Sequence, residues 1–132
     1  MDSTINWVSA KIGNDQYKTQ IVTDTHTFLA DEPVSNGGTD LAPSPGDFLR
    51  TSLASCTAIT LRMYANRKKF AIDQIEVKVG TETKNGKTIF HRKVIIHGAI
   101  DDAQRKRMLQ IANACPIHKV LVNPIEVLTD LK

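Results

Sequence analysis

Two cysteines, Cys56 and Cys115, are the residues of this chain best suited to chemistry, and no third thiol competes with them. A thiolate is a strong nucleophile, a peroxide oxidises it to a sulfenic acid, and a second thiol can capture that acid as a disulfide. The pair is 59 residues apart. Spacing alone leaves two readings open: a redox pair, or two buried thiols acting as small hydrophobes. The opening MDSTINW carries neither the basic n-region nor the apolar stretch of an export signal, so a cytoplasmic protein is expected. In that reducing compartment a structural disulfide is disfavoured.

His118 lies three residues past Cys115. With an unperturbed pKa near ~6.5 it could favour a thiolate or shuttle a proton. An ordinary surface or core histidine is the other reading. The remaining histidines, His26, His91 and His97, have no metal-ligand spacing with each other or with the cysteines, so no metal is expected. Gly37-Gly38 lacks the further glycines and the strand-to-helix context of a phosphate loop, and no cofactor is expected. The basic tracts Arg67-Lys68-Lys69 and Arg105-Lys106-Arg107 are short and have no interleaved aromatic residues on which bases could stack. With a net charge of only +3, nucleic-acid binding is not predicted. No apolar run approaches the ~18 residues of a membrane span.

The elements that must position these thiols follow from local patterns. A chain of 132 residues suits one domain, 1–132, with a real core. Alternation at Tyr17, Thr19 and Ile21 after Gly13-Asn14-Asp15 predicts strand, turn, strand over roughly 5–30. The breaker-rich stretch 31–39 predicts a surface loop. Ser44-Pro45-Gly46-Asp47 reads as a helix start, with Ser44 as N-cap, Pro45 at the first helical position and Asp47 closing a capping box. That helix should run to about Asn66. Small or apolar residues occupy nearly every side of it, Arg50 and Arg62 being the only charges between Asp47 and its end. Such a helix must be covered all round, which predicts a homodimer. Lys84-Asn85-Gly86-Lys87 between two alternating runs predicts a β-hairpin. Asp101-Asp102 can cap a second helix reaching Cys115, where Pro116 discourages continuation. A last strand is expected over Ile125–Leu128, giving an α+β order of hairpin, helix, hairpin, helix, strand.

The segment Gly38-Thr39-Asp40-Leu41-Ala42-Pro43-Ser44-Pro45-Gly46-Asp47-Phe48-Leu49, running into Ser52-Leu53-Ala54-Ser55-Cys56-Thr57-Ala58-Ile59-Thr60-Leu61-Arg62-Met63-Tyr64-Ala65, resembles the signature of the OsmC/Ohr family. So does Ala112-Asn113-Ala114-Cys115-Pro116-Ile117-His118-Lys119. The resemblance implies an OsmC-like swapped homodimer, with long central helices flanked by curved antiparallel sheets. It further implies a two-cysteine thiol peroxidase for organic hydroperoxides, with Cys56 peroxidatic, Cys115 resolving and an external dithiol as reductant. A non-catalytic OsmC-like dimer that binds a small molecule or senses redox state is the alternative.

Activation of Cys56 is where this chain departs from the family. Its usual N-terminal arginine has no counterpart, because residues 1–49 contain no arginine, and Gly46 stands where the hydroperoxide-resistance branch carries a glutamate. Asp47 is the nearest carboxylate and a third candidate site residue. Helical geometry puts it about 13 Å along the axis and about 180° around from Cys56, so it would have to serve a partner's thiol or merely cap the helix. Arg50 and Arg62, six residues to either side of Cys56, are off its face and could serve the partner or reach solvent. Cys56 itself is too deep in the helix for the dipole to help. The expected activating charge therefore comes from the second subunit.

Overall fold

A computed structural model describes residues 4–132, and the chain forms two compact units, one ending at Leu49 and the other spanning Arg50–Lys132. The first contains an antiparallel meander of β1 (Ser9–Lys11), β2 (Thr19–Val22) and β3 (Thr27–Ala30), with β2 in the middle. Three strands therefore replace the expected two. The second turn carries no Gly or Pro to announce it. It is closed instead by Thr23, whose N–H donates to the His26 carbonyl at 2.8 Å and whose hydroxyl accepts the His26 N–H at 3.0 Å.

Residues 31–39 form the expected loop, containing a single 3-10 turn at Val34–Asn36. Its centre is the buried carboxylate of Asp31. That group accepts from the Thr39 hydroxyl at 2.6 Å, the Glu32 N–H at 2.7 Å and the Leu41 N–H at 3.1 Å. Led by the Thr39 hydrogen bond, these donors hold Asp31 below the usual carboxylate range against the opposing effect of burial. Gly38 is required here, since a Cβ at that position would collide with the Glu32 backbone.

Helix α1 (Pro45–Lys68) starts as the sequence predicts. The Asp47 N–H donates to Ser44 Oγ at 3.2 Å, and the Ser44 N–H donates to Asp47 Oδ2 at 3.1 Å. Within one chain the helix buries a single stripe, Leu53, Thr57, Leu61, Tyr64 and Ala65, at spacings of one turn. It is not covered all round: Ile59 and Met63 remain 55% and 67% exposed.

In the second unit, β4 (Ile72–Lys84) and β5 (Lys87–Gly98) form the predicted hairpin. Asn85 and Gly86 both take positive φ, 53° and 75°, as a two-residue turn with the right twist demands. Helix α2 (Asp102–Ala112) carries the Asp101 cap and a reciprocal Gln104 contact. The core joins Leu61, Tyr64 and Ala65 of α1 to Ile72, Met108 and Ala112, with Val94 and Ile96 of β5 against it.

Two expectations fail at the C-terminal end. Cys115 does not end a helix: α2 stops at Ala112, and Cys115 is the N-cap of a further helix, α3 (Pro116–Leu121). Pro116 starts that helix, because proline's fixed φ and missing N–H suit the first helical position. No strand forms over Ile125–Leu128, where the backbone has no ladder partner among the described residues and Val127 and Leu128 are 82% and 85% exposed.

Candidate active site

The structure brings Cys56 and Cys115 together although they are far apart in sequence. Cys56 sits in the middle of α1 and is half-buried, whereas Cys115 at the α2–α3 junction is fully buried. Both thiols are free, and they lie close enough to shift each other's ionisation. The junction is built by its caps. Asn113 closes α2 and Cys115 opens α3, with the Cys115 sulfur accepting the His118 N–H at 3.4 Å.

These surroundings polarise the pair in opposite directions. Burial pushes the Cys56 thiol up, and its hydrogen bond to Cys115 adds to that, outweighing help from the Ile117 N–H and Thr60. Burial also pushes Cys115 up, but donation from Cys56, the His118 N–H, Thr57 and the Ile117 N–H outweighs it, and the net direction is down. The backbone N–H of His118 on the Cys115 sulfur is a donor that favours a thiolate there.

A basic residue that the sequence reading passed over stands beside them. Arg92 of β5 donates to Thr57 Oγ1 at 3.1 Å and to Asn113 Oδ1 at 2.8 Å, linking α1 to the end of α2. Thr57 is fully buried and donates its own hydroxyl proton to the Leu53 carbonyl at 2.7 Å. The signal for Arg92 was present in the strand pattern. Phe90, Arg92, Val94 and Ile96 share the inward face of β5 while His91, Lys93 and His97 face out, so an arginine interrupts an apolar row. The charge so placed belongs to this chain.

The other candidates lie elsewhere. Asp47 is engaged in the α1 cap with Ser44. Arg50 donates to Thr81 Oγ1 at 3.2 Å, and Arg62 to the Ile72 carbonyl at 3.2 Å. The His118 ring is half-buried, and burial together with the Arg92 charge holds it below its ordinary pKa, hence neutral at neutral pH. The backbone N–H of His118, and not an imidazolium, serves the sulfur. Against Arg92 and His118 opens a cavity of about 460 Å³ whose walls include Leu53, Phe90 and Leu121, with Lys87 at its side. Among the described residues, no cluster of His, Cys, Asp and Glu could hold a metal, and no helix is long and apolar enough to cross a membrane.

An α+β chain that pairs a free thiol on a long helix with a second at a helix cap is, by class, a dithiol protein. The chain belongs to the OsmC-like protein family, which matches residues 37–130. Solved structures share its fold. One, from Psychrobacter arcticus and associated with osmotic stress and detoxification, is 23% identical over 93% of this chain and 92% of that one, with a TM-score of 0.75. An OsmC-like protein from Mycoplasma pneumoniae is 19% identical over 92% and 89%, TM-score 0.72. The organic hydroperoxide resistance protein OhrB of Bacillus subtilis is 20% identical over 90% and 91%, TM-score 0.59. No curated protein sequence matches the chain significantly.

Proposed function

We propose that this protein is a thiol-dependent peroxidase that reduces organic hydroperoxides. The observation that carries the reading is the nearness of two free thiols, of which only Cys56 retains exposure. A peroxide oxygen must reach sulfur, and that selects Cys56 as the attacking atom. Its thiolate attacks the terminal peroxide oxygen, forming the S–O bond and breaking O–O, so that the peroxide leaves as an alcohol. Cys115 then attacks the Cys56 sulfenic acid, forming S–S and releasing water. An external dithiol returns two electrons by thiol–disulfide exchange. Hydroperoxide resistance in the Bacillus subtilis relative supports this chemistry. The working form is a cytoplasmic homodimer of one OsmC-like domain, 1–132, in which the exposed Ile59 and Met63 of α1 meet a second copy.

A second reading, a non-catalytic binding or redox-sensing dimer, draws on the cavity beside Arg92 and His118, whose apolar walls and cationic side suit a small anionic ligand. A related hydroperoxide resistance protein of Vibrio cholerae holds captopril in an active site. One assay separates the readings. Reduced protein mixed with cumene hydroperoxide under single-turnover conditions should lose peroxide and two thiols together, and Cys56→Ser should lose neither. Equal, slow peroxide loss in both proteins contradicts the peroxidase and leaves the binding dimer.

A further inference from the structure

The thiol pair has no N-terminal arginine to ionise it, yet a guanidinium stands within two hydrogen bonds of the buried sulfur. Thr57 is the link. Its oxygen accepts from Arg92 at 3.1 Å, and its single proton can go to the Leu53 carbonyl, 2.7 Å away, or to the Cys115 sulfur, which it also reaches. A hydroxyl that accepts from a cation becomes a better donor, because hydrogen bonds in series polarise one another. Rotation of that proton from a carbonyl to a sulfur is an inexpensive way to meet a new anion. The second arm of Arg92, on Asn113, ties the guanidinium to the turn that carries Cys115. Arg92 thus has a fixed position relative to both thiols.

We propose that Arg92, acting through Thr57, is the positioning residue that keeps Cys115 as the resting thiolate, and that this thiolate is the base that ionises Cys56. The inference rests on the peroxidase reading and adds to it a proton path that the family resemblance does not contain. At rest the single proton of the pair lies on Cys56, donated to Cys115. As Cys56 attacks the peroxide, that proton moves to Cys115. The S–O bond forms, O–O breaks, sulfur gives up two electrons, and the departing alkoxide takes the proton back from Cys115 to become the alcohol. Cys115, again a thiolate, attacks the Cys56 sulfur. S–S forms, S–O breaks, and hydroxide leaves to be protonated by solvent. One buried thiol therefore serves as base, acid and resolving nucleophile in turn, and neither His118 nor Asp47 is required.

The titratable and charged groups facing Cys115 are Cys56 from α1, Arg92 from β5 and His118 from α3. Since the His118 ring is neutral at neutral pH, Arg92 is the cation to test. In a Cys56→Ser background Cys115 is the only thiol, and its ionisation can be followed by ultraviolet thiolate absorbance against pH, without peroxide. Adding Arg92→Gln should leave about tenfold less thiolate at a given pH, and adding Thr57→Val should do the same. Arg92→Lys, which keeps the charge but not the two-armed fork, should lose less. Combining Arg92→Gln with Thr57→Val should add little to either, because the two act in series. Circular dichroism identifies any variant that has lost its fold, and Arg92→Lys and Thr57→Val, both close in shape, then carry the test. Unchanged titration in these folded variants overturns the inference, even where wild-type protein still consumes cumene hydroperoxide. The titration shift in a protein that consumes none supports Arg92 as the positioning residue and overturns the peroxidase reading instead.

Discussion

Each of the two units places a charge at its polar centre, and the difference between these charges separates support from chemistry. Asp31 in the first unit is surrounded by donors that belong to its own loop, Thr39, Glu32 and Leu41, all within ten residues. Their hydrogen bonds close on the carboxylate and hold the loop's shape. Arg92 in the second unit spends its hydrogen bonds on α1 and on the end of α2, reaching residues 35 and 21 positions away. Thr57 directly follows Cys56, and Asn113 lies two residues before Cys115. A charge satisfied locally stabilises a loop, whereas one whose partners lead to a nucleophile sets that nucleophile's ionisation.

Substitutions can break this contrast, and the largest effect should fall on the thiols. Cys56→Ser is expected to lower the rate of single-turnover peroxide loss at least about 100-fold, because no other group in the pair presents an accessible nucleophile. Cys115→Ser should still react once, then accumulate sulfenic or overoxidised Cys56 visible by mass spectrometry. In the core of the second unit, Leu61→Ala should cost about 2–5 kcal/mol in denaturant unfolding, since the side chain is fully buried among Tyr64, Met108 and Ala112. Arg92→Gln should slow peroxide loss about tenfold at neutral pH and change the unfolding midpoint little, since Thr57 retains its Leu53 bond.

The smallest effect belongs to Asp31→Asn, which should lower the melting temperature by a few degrees and leave thiol ionisation unchanged. Its pH dependence has a definite sign. The folded carboxyl lies below its unfolded value, so its contribution is complete above the ordinary aspartate pKa of about 3.9 and fades as pH falls through the lowered folded value. Melting temperatures of wild type and Asp31→Asn should therefore converge on acidification below about pH 4. If Asp31→Asn shifted the Cys115 titration as much as Arg92→Gln does, the contrast between the units would fail.

What the sequence disclosed was what short-range chemistry dictates. Ser44, Pro45 and Asp47 announced the start of α1, Asn85-Gly86 announced the hairpin, and Asp101 announced α2, each within a few residues. The turn at Thr23–His26 was hidden because a hydroxyl closes it and no Gly or Pro marks it. Cys115 was misplaced by one helix because proline is a stop signal and a start signal alike, and only the preceding cap at Asn113 decides between them. The expected strand at 125–128 had the right residues but no ladder partner among the described residues. As for the site, the nearness of Cys56 and Cys115 came from the family resemblance, since a spacing of 59 residues carries no geometry of its own. Arg92 is hidden by the alternation of β5, which marks a strand, and its one signal is that an arginine occupies the apolar face. Within the chain, the cation that reaches the thiol-bearing elements comes from the hairpin and not from residues near Cys56 in sequence.

The central claim is that Cys56 and Cys115 act as one redox pair. Mass spectrometry of reduced protein after one equivalent of cumene hydroperoxide, under non-reducing conditions, tests it most directly. The account predicts a Cys56–Cys115 disulfide within a single chain, formed as the peroxide disappears and reversed by a dithiol. Peroxide consumed with both thiols still free, or with Cys56 oxidised and Cys115 untouched, would contradict it.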